Sequence, residues 1–171
     1  MDAFDDHFLP SLVTVARGGT VVWDFTGQRT HTATDDSGLG LYDSGLVSPG
    51  GPSFSFTFPS AGTYRFACTL HDGMDGRIWV PMRAAPAEGP ITRTFQVRWS
   101  TTDAPPDFVF DVRTRVKAGA WQSWQDGVTF ANTVFHPEVV GKVRFAARLR
   151  SLSSGATSEW SEPVPIRVRE T

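Results

Sequence analysis

The stretch CTLHDGM, Cys68 to Met74, sets a thiol, an imidazole and a thioether three residues apart in turn, in a chain of 171 residues whose only cysteine is Cys68. A single cysteine excludes an internal disulfide framework, so one free thiol has to be explained. The ordinary explanation is a buried, inert cysteine. Here the neighbours argue for more. A cysteine at the end of a strand, followed by a turn, brings the residues three and six positions on around one point, and a thiolate with imidazole and thioether is the donor set of a soft or borderline metal ion.

The elements around that loop read as strands. SLVTVA and TVVWDF are joined by RGG, whose paired glycines tolerate positive φ. THTATDD follows, with His31 inside a Thr-rich extended stretch, and then an excursion rich in Gly, Ser and Pro from Ser37 to Gly51. SFSFTF alternates Phe54, Phe56 and Phe58 with polar residues, the pattern of a half-buried strand. PSAG turns the chain into TYRFAC, and GRIWVP closes this half. No segment reads as a helix, so the expected architecture is all-β, a sandwich of short strands. The run Arg83 to Pro90, RAAPAEGP, reads as a linker of small residues and prolines, which divides the chain into a first domain at 1–82 and a second at 91–171.

Composition narrows the function classes. No segment approaches the roughly 20 apolar residues of a membrane helix, so no membrane span is expected. The opening MDAFDDHF is acidic and lacks an apolar core, so the expectation is either a cytosolic protein or a leader replaced by Met1. Up to Ala85 the chain carries five arginines against nine aspartates, whereas the remainder has eleven basic and nine acidic side chains. A mildly basic half in a chain of net charge −2 gives little encouragement to nucleic-acid binding.

The order TVVWDF, then THT, then YDSGLVSPGGPSFSFTFPSAGTYRFAC, then HDGMDGRIWV resembles the cupredoxins, the small blue-copper proteins related to plastocyanin, pseudoazurin and amicyanin, over about Phe8 to Pro81. The C-x-x-H-x-x-M loop has the short amicyanin-like spacing. The resemblance implies a Greek-key sandwich, one copper ion per chain cycling between Cu(I) and Cu(II), and His31, Cys68, His71 and Met74 as its ligands. A His₂Cys trigonal set with a weak axial thioether suits copper electron transfer. Zinc, the rival for a Cys and two His, usually takes four strong ligands. Two positions depart from the family pattern. Thr32 stands where an asparagine often ties the ligand loops together, so its hydroxyl is expected to do part of that work. Leu70 replaces the common proline between the loop ligands and so restores a backbone N–H that is expected to reach the Cys68 sulfur. Leu39, Leu41, Leu46 and Leu70 are candidates for an apolar ring around the exposed edge of His71, or else for core closure. Asp35, Asp36, Asp43, Asp72 and Asp75 are candidates for a negative steering surface.

The second half, with TFQVRWS, FVFDVRTRVKAG, AWQSWQDGV, KVRFAARLRS and EPVPIRVR as strands, resembles a fibronectin type III domain, an immunoglobulin-like sandwich, over about Ile91 to Arg169. Trp99 would be its core tryptophan, Phe145 stands where the family usually has tyrosine, and no clear first strand is legible unless the stretch 83–90 supplies it. Alternation puts Phe110, Val112, Val143, Phe145 and Leu149 on one sheet face and Arg113, Arg115, Lys117, Arg144, Arg148 and Arg150 on the other, continued by Arg167 and Arg169. Trp160 is placed to stack on these arginines, either bracing a solvent face internally or forming a patch for a cell-surface polymer or protein.

The expected function is one-electron transfer outside the cytoplasm, to a redox partner protein, with the second domain as a spacing or interaction module. Copper carriage is the alternative, and an adhesion or scaffold protein with a secondary copper site is a third. An enzyme is not expected. Multicopper oxidases and copper nitrite reductases need further histidine clusters, and only His7 and His136 remain.

Overall fold

The computed structural model describes all residues, Met1–Thr171, and contains no helix. Eight strands form the first unit: β1 (Asp2–Ala3), β2 (Phe8–Leu9), β3 (Leu12–Thr14), β4 (Gly19–Phe25), β5 (Thr34–Asp35), β6 (Phe54–Phe58), β7 (Gly62–Ala67) and β8 (Asp75–Val80). They make two four-stranded sheets, ordered β2-β1-β4-β6 and β3-β8-β7-β5. The alternation in TVVWDF turns Val21, Trp23 and Phe25 inward, and β7 answers with Tyr64 and Phe66. Trp23 meets Phe66 edge-on at 5.6 Å and Phe58 meets Tyr64 at 5.2 Å between centroids, so aromatic side chains fill the space between the sheets.

The second unit contains β9 (Arg83–Ala85), β10 (Glu88–Pro90), β11 (Phe95–Arg98), β12 (Phe108–Val116), β13 (Gln122–Val128), β14 (Asn132–Phe135), β15 (Gly141–Ser151) and β16 (Val164–Arg169). A three-stranded sheet, β14-β11-β9, packs on a five-stranded one, β10-β16-β15-β12-β13. Trp99 is fully buried and its indole N–H donates to the Phe130 carbonyl at 2.8 Å, while Phe145 packs at 5.0 Å from Phe135.

The stretch 83–90, expected as a linker, is instead strand. β9 pairs antiparallel with β11 and β10 pairs parallel with β16. Small residues and prolines serve here because both strands lie at sheet edges, where a missing N–H costs no ladder bond. Nor do the two units hang apart. The Ala61 N–H donates to Trp99 O at 2.7 Å, Thr63 and Glu159 exchange both backbone bonds at 3.0 Å, and a single cluster of buried apolar residues runs through both halves.

The arginine face is as the alternation implies. Phe110 opposes Leu149 on the buried side, while Asp111 opposes Arg148 and Arg115 opposes Arg144 on the other. Arg113 lies over both Trp121 and Trp160, at 4.4 and 4.2 Å, Arg115 over Trp121 and Arg148 over Trp160. Asp111, almost buried beneath them, accepts from Arg148 at 3.0 Å and from Arg150 at 2.8 Å. The indoles and this carboxylate brace the face from within.

Candidate metal centre

The site is assembled by the two sheets together. His31 lies between β4 and β5, where its N–H donates to Val47 O at 3.0 Å and its carbonyl accepts from Val47 N–H at 2.9 Å. That bridge ties the histidine to the long excursion and fixes its approach. Cys68 follows β7 directly. Its N–H donates to Met74 O at 2.9 Å, and the Met74 N–H donates to His71 O at 3.2 Å, so the loop closes on itself in seven residues. Gly73 makes the closure feasible with φ +77°, in the left-handed region that side chains disfavour. Gly76 has a different task. A Cβ there would stand 2.4 Å from the Phe66 ring and 2.5 Å from Ser11 O, so only glycine lets β8 return against β7 and β3.

The side chains of His31, Cys68 and His71 converge. Nδ1 of His71 is 3.4 Å and Nδ1 of His31 is 3.8 Å from the Cys68 sulfur, and the ligand atoms of all three lie within 4.8 Å of one another. Two donors about 2.0 and 2.3 Å from one ion, at roughly tetrahedral angles, stand about 3.5 Å apart, so the spacing fits a common metal ion. His31 is wholly buried, Cys68 is 4% exposed and His71 keeps an edge in solvent. Nε2 of His31 is enclosed without a hydrogen-bond partner. Such an orphaned ring atom is uncommon in a protein interior; the other nitrogen, Nδ1, is the one that faces the Cys68 sulfur and would meet an ion. Burial, with the His71 imidazole beside it, lowers the His31 pKa and so keeps the ring neutral, the form that offers a lone pair. Met74 is buried, its backbone bonded to Cys68 and His71.

The hydrogen bonds around the thiol correct one expectation and extend another. The backbone N–H that reaches the Cys68 sulfur belongs to Thr32, at 3.4 Å, and not to Leu70, whose residue is turned outward and 49% exposed. Thr32 also ties the loops together: its hydroxyl oxygen accepts from the Thr69 N–H at 2.9 Å and lies 3.2 Å from the Thr69 hydroxyl. The Thr34 hydroxyl stands 3.0 Å from the same oxygen and 2.9 Å from Asp43. The residue following the upstream histidine thus spans both ligand loops.

The leucines divide. Leu39 and Leu41 pack against the core, whereas Leu46 and Leu70 are 70% and 49% exposed. Three of the aspartates are occupied in the fold. Asp35 accepts from Ser37 and from the Leu41 N–H, Asp36 pairs with Arg65, and Asp43 accepts from Thr34 and the Gly45 N–H. Asp72 and Asp75 are exposed. His7 stacks on Phe4 at the surface and His136 is exposed in the second unit, both apart from the cluster.

Residues 5–81 match the family model of copper binding proteins, plastocyanin/azurin family. Solved structures similar to the chain include the reduced state of an amicyanin mutant, 28% identical with a TM-score of 0.43, covering 47% of this chain and 78% of that one. A novel purple cupredoxin from Nitrosopumilus maritimus is 22% identical with a TM-score of 0.40, covering 43% of this chain and 80% of the other. Among curated proteins none matches the chain. The family match and the ligand geometry fall on the same residues: the first unit, 5–81, is supported as a cupredoxin domain of the plastocyanin/azurin type, with His31, Cys68 and His71 as its candidate copper-ligand cluster.

Proposed function

We propose that this protein is a type 1 copper carrier of single electrons, acting outside the cytoplasm, with Met74 as the weak fourth ligand beside His31, Cys68 and His71. The observation that carries the reading is the convergence of one thiol and one ring nitrogen from each of two histidines within 4.8 Å of one another, two of these ligand atoms on buried residues. Copper in such a set supplies a one-electron couple between Cu(I) and Cu(II).

The chain's own residues do the rest. The Val47 bridge holds the His31 backbone, and the closed loop from Cys68 to Met74 holds the other ligands, so the donors are fixed by backbone bonds and not by an ion alone. The Thr32 N–H, donating to the sulfur, withdraws electron density from the thiolate and favours the reduced state. Burial of His31 and Cys68 keeps water from the sulfur, while the exposed edge of His71, with Leu46 and Leu70 in solvent, offers a redox partner protein its approach. The second unit, read as a fibronectin type III-like module on its three-on-five sheet arrangement, serves spacing or interaction.

Loading the full chain with Cu(II) tests the reading. Intense visible absorption from thiolate-to-copper charge transfer, with a reversible redox titration, is expected. A spectroscopically silent site that exchanges its metal rapidly overturns electron transfer in favour of copper carriage. Fractionation of the native cells tests the location: recovery in the cytoplasm would refute that part.

A further inference from the structure

A second cluster of charge lies at the other end of the first unit. The registers of β9 and β11 set Arg83 directly opposite Arg98. Like charges in that position destabilise a ladder, and here nothing in the protein relieves them. Arg17, from the turn between β3 and β4, joins the same recess. Its guanidinium donates to Pro81 O, while its Nε is buried with no hydrogen-bond partner. None of the three arginines forms an ion pair.

The contrast with the other cross-strand cations is informative. Arg65 opposes Arg77, yet Arg65 pairs with Asp36 and Arg77 approaches Glu159. Arg115 opposes Arg144, yet Arg115 lies over Trp121 and Arg144 donates to Lys117 O. The trio at Arg17, Arg83 and Arg98 has neither a carboxylate nor an indole. Burial, with Arg98 and Arg83 beside it, lowers the pKa of Arg17.

The recess has a volume of about 380 Å³ and is walled by Arg17, Arg83, Ala85, Gln96, Arg98 and Thr101. Gln96 and Thr101 have already given donors to Asn132 and Pro59. Gln96 keeps one amide N–H, and the other donors left to face a ligand are guanidinium N–H groups. Their planar forks match the oxygens of a tetrahedral oxyanion, two at a time. A doubly charged ion neutralises more of the cluster than a single carboxylate does.

We propose that Arg17, Arg83 and Arg98 form a binding site for a tetrahedral oxyanion of phosphate or sulfate type, at the seam between the two units. β8 separates it from the metal loop: Asp75 follows Met74 at one end of the strand and Pro81 follows the other, six residues later. At about 3.3 Å per residue the two sites stand roughly 20 Å apart. Because the cluster draws on the first unit, on β9 and on β11, a bound anion draws the units together. The ion binds the folded chain and not the unfolded one, so it also raises stability.

The test is calorimetric titration of the full-length, copper-loaded chain with sodium phosphate and, separately, sodium sulfate, at ionic strength held constant with chloride. Saturable binding of one ion per chain is expected from at least one of them, together with a higher melting temperature than in chloride alone. Sulfate without phosphate, or the reverse, identifies which oxyanion the recess takes. Arg98→Gln should weaken binding by about tenfold or more, as loss of a charge-assisted hydrogen bond does, and in chloride should melt no lower than the parent, since it removes the repulsion. Arg167→Gln is the control. Arg167 also opposes a cation across a ladder, Lys142, but lacks the third arginine. Its affinity should match the parent. No saturable binding of either ion, or equal weakening by both substitutions, overturns the site.

Discussion

Replacing Thr32 with valine tests whether one hydroxyl holds the two ligand loops together. The substitution keeps the side-chain shape and the backbone N–H to the Cys68 sulfur, so it changes only what the oxygen does. That oxygen accepts from the Thr69 N–H at 2.9 Å. Thr34 loses a neighbour as well, yet its hydroxyl still has Asp43 at 2.9 Å and stays satisfied. One part-buried donor is left without an acceptor, which costs about 1 to 2 kcal/mol, toward the lower end of the range for an orphaned group because Thr69 itself reaches solvent. For a chain of this size that is a fall in melting temperature of roughly 2 to 8 °C. The colour of the copper-loaded protein should persist, since no ligand is lost. Scanning calorimetry of the metal-free and copper-loaded forms, with the visible spectrum alongside, reads both. An unchanged melting temperature in both forms would refute the idea that Thr32 carries the connection between the loops.

Cys68→Ser should abolish the intense colour while leaving the fold intact, because a hydroxyl offers no comparable charge transfer; a copper-loaded variant that stayed intensely blue would contradict the assignment. If Met74 is the weak fourth ligand proposed above, Met74→Leu should keep the colour and raise the reduction potential, and a fall in voltammetry would remove methionine from the ligand set. Leu70→Pro should leave the potential nearly unchanged, since the sulfur takes its N–H from Thr32; a clear drop with an intact spectrum would restore Leu70 as donor. In the second unit, burial alone would raise the pKa of Asp111, but hydrogen bonds from Arg150, the Gly127 N–H and Arg148 outweigh it and hold the carboxyl well below the usual range. A depressed folded pKa gives stability that is present above the unfolded value near 3.9 and is lost as pH falls below it. Asp111→Asn should therefore cost about 3 kcal/mol at pH 7, the lower end for breaking a buried charge pair, and the gap to the parent should shrink in melts below pH 4; a gap independent of pH would refute the linkage.

Several features of this protein are legible in the amino-acid sequence alone because they depend on local chemistry or on period. The CTLHDGM spacing puts three ligand types on one short turn, and strand alternation determines which of Phe110, Val112, Val143, Phe145 and Leu149 face inward and which arginines face out. The absence of any helical period likewise decided the all-β class.

Other features depend on partners distant in the chain, and there the sequence was silent or misled. RAAPAEGP has a linker's composition, yet its backbone is claimed by β11 and β16, which lie beyond it in sequence. Leu70 carries an N–H near the cysteine, but the turn points it elsewhere and a residue 36 positions earlier reaches the sulfur. Asp111 is one aspartate among many until β15 lays Arg148 and Arg150 over it. Arg17, Arg83 and Arg98 are scattered charges until a β-ladder and a turn bring them into one recess. Period and spacing act over a few residues, whereas hydrogen-bond partners and charge neighbours are assigned by which strands pair, and only the tertiary structure decides that.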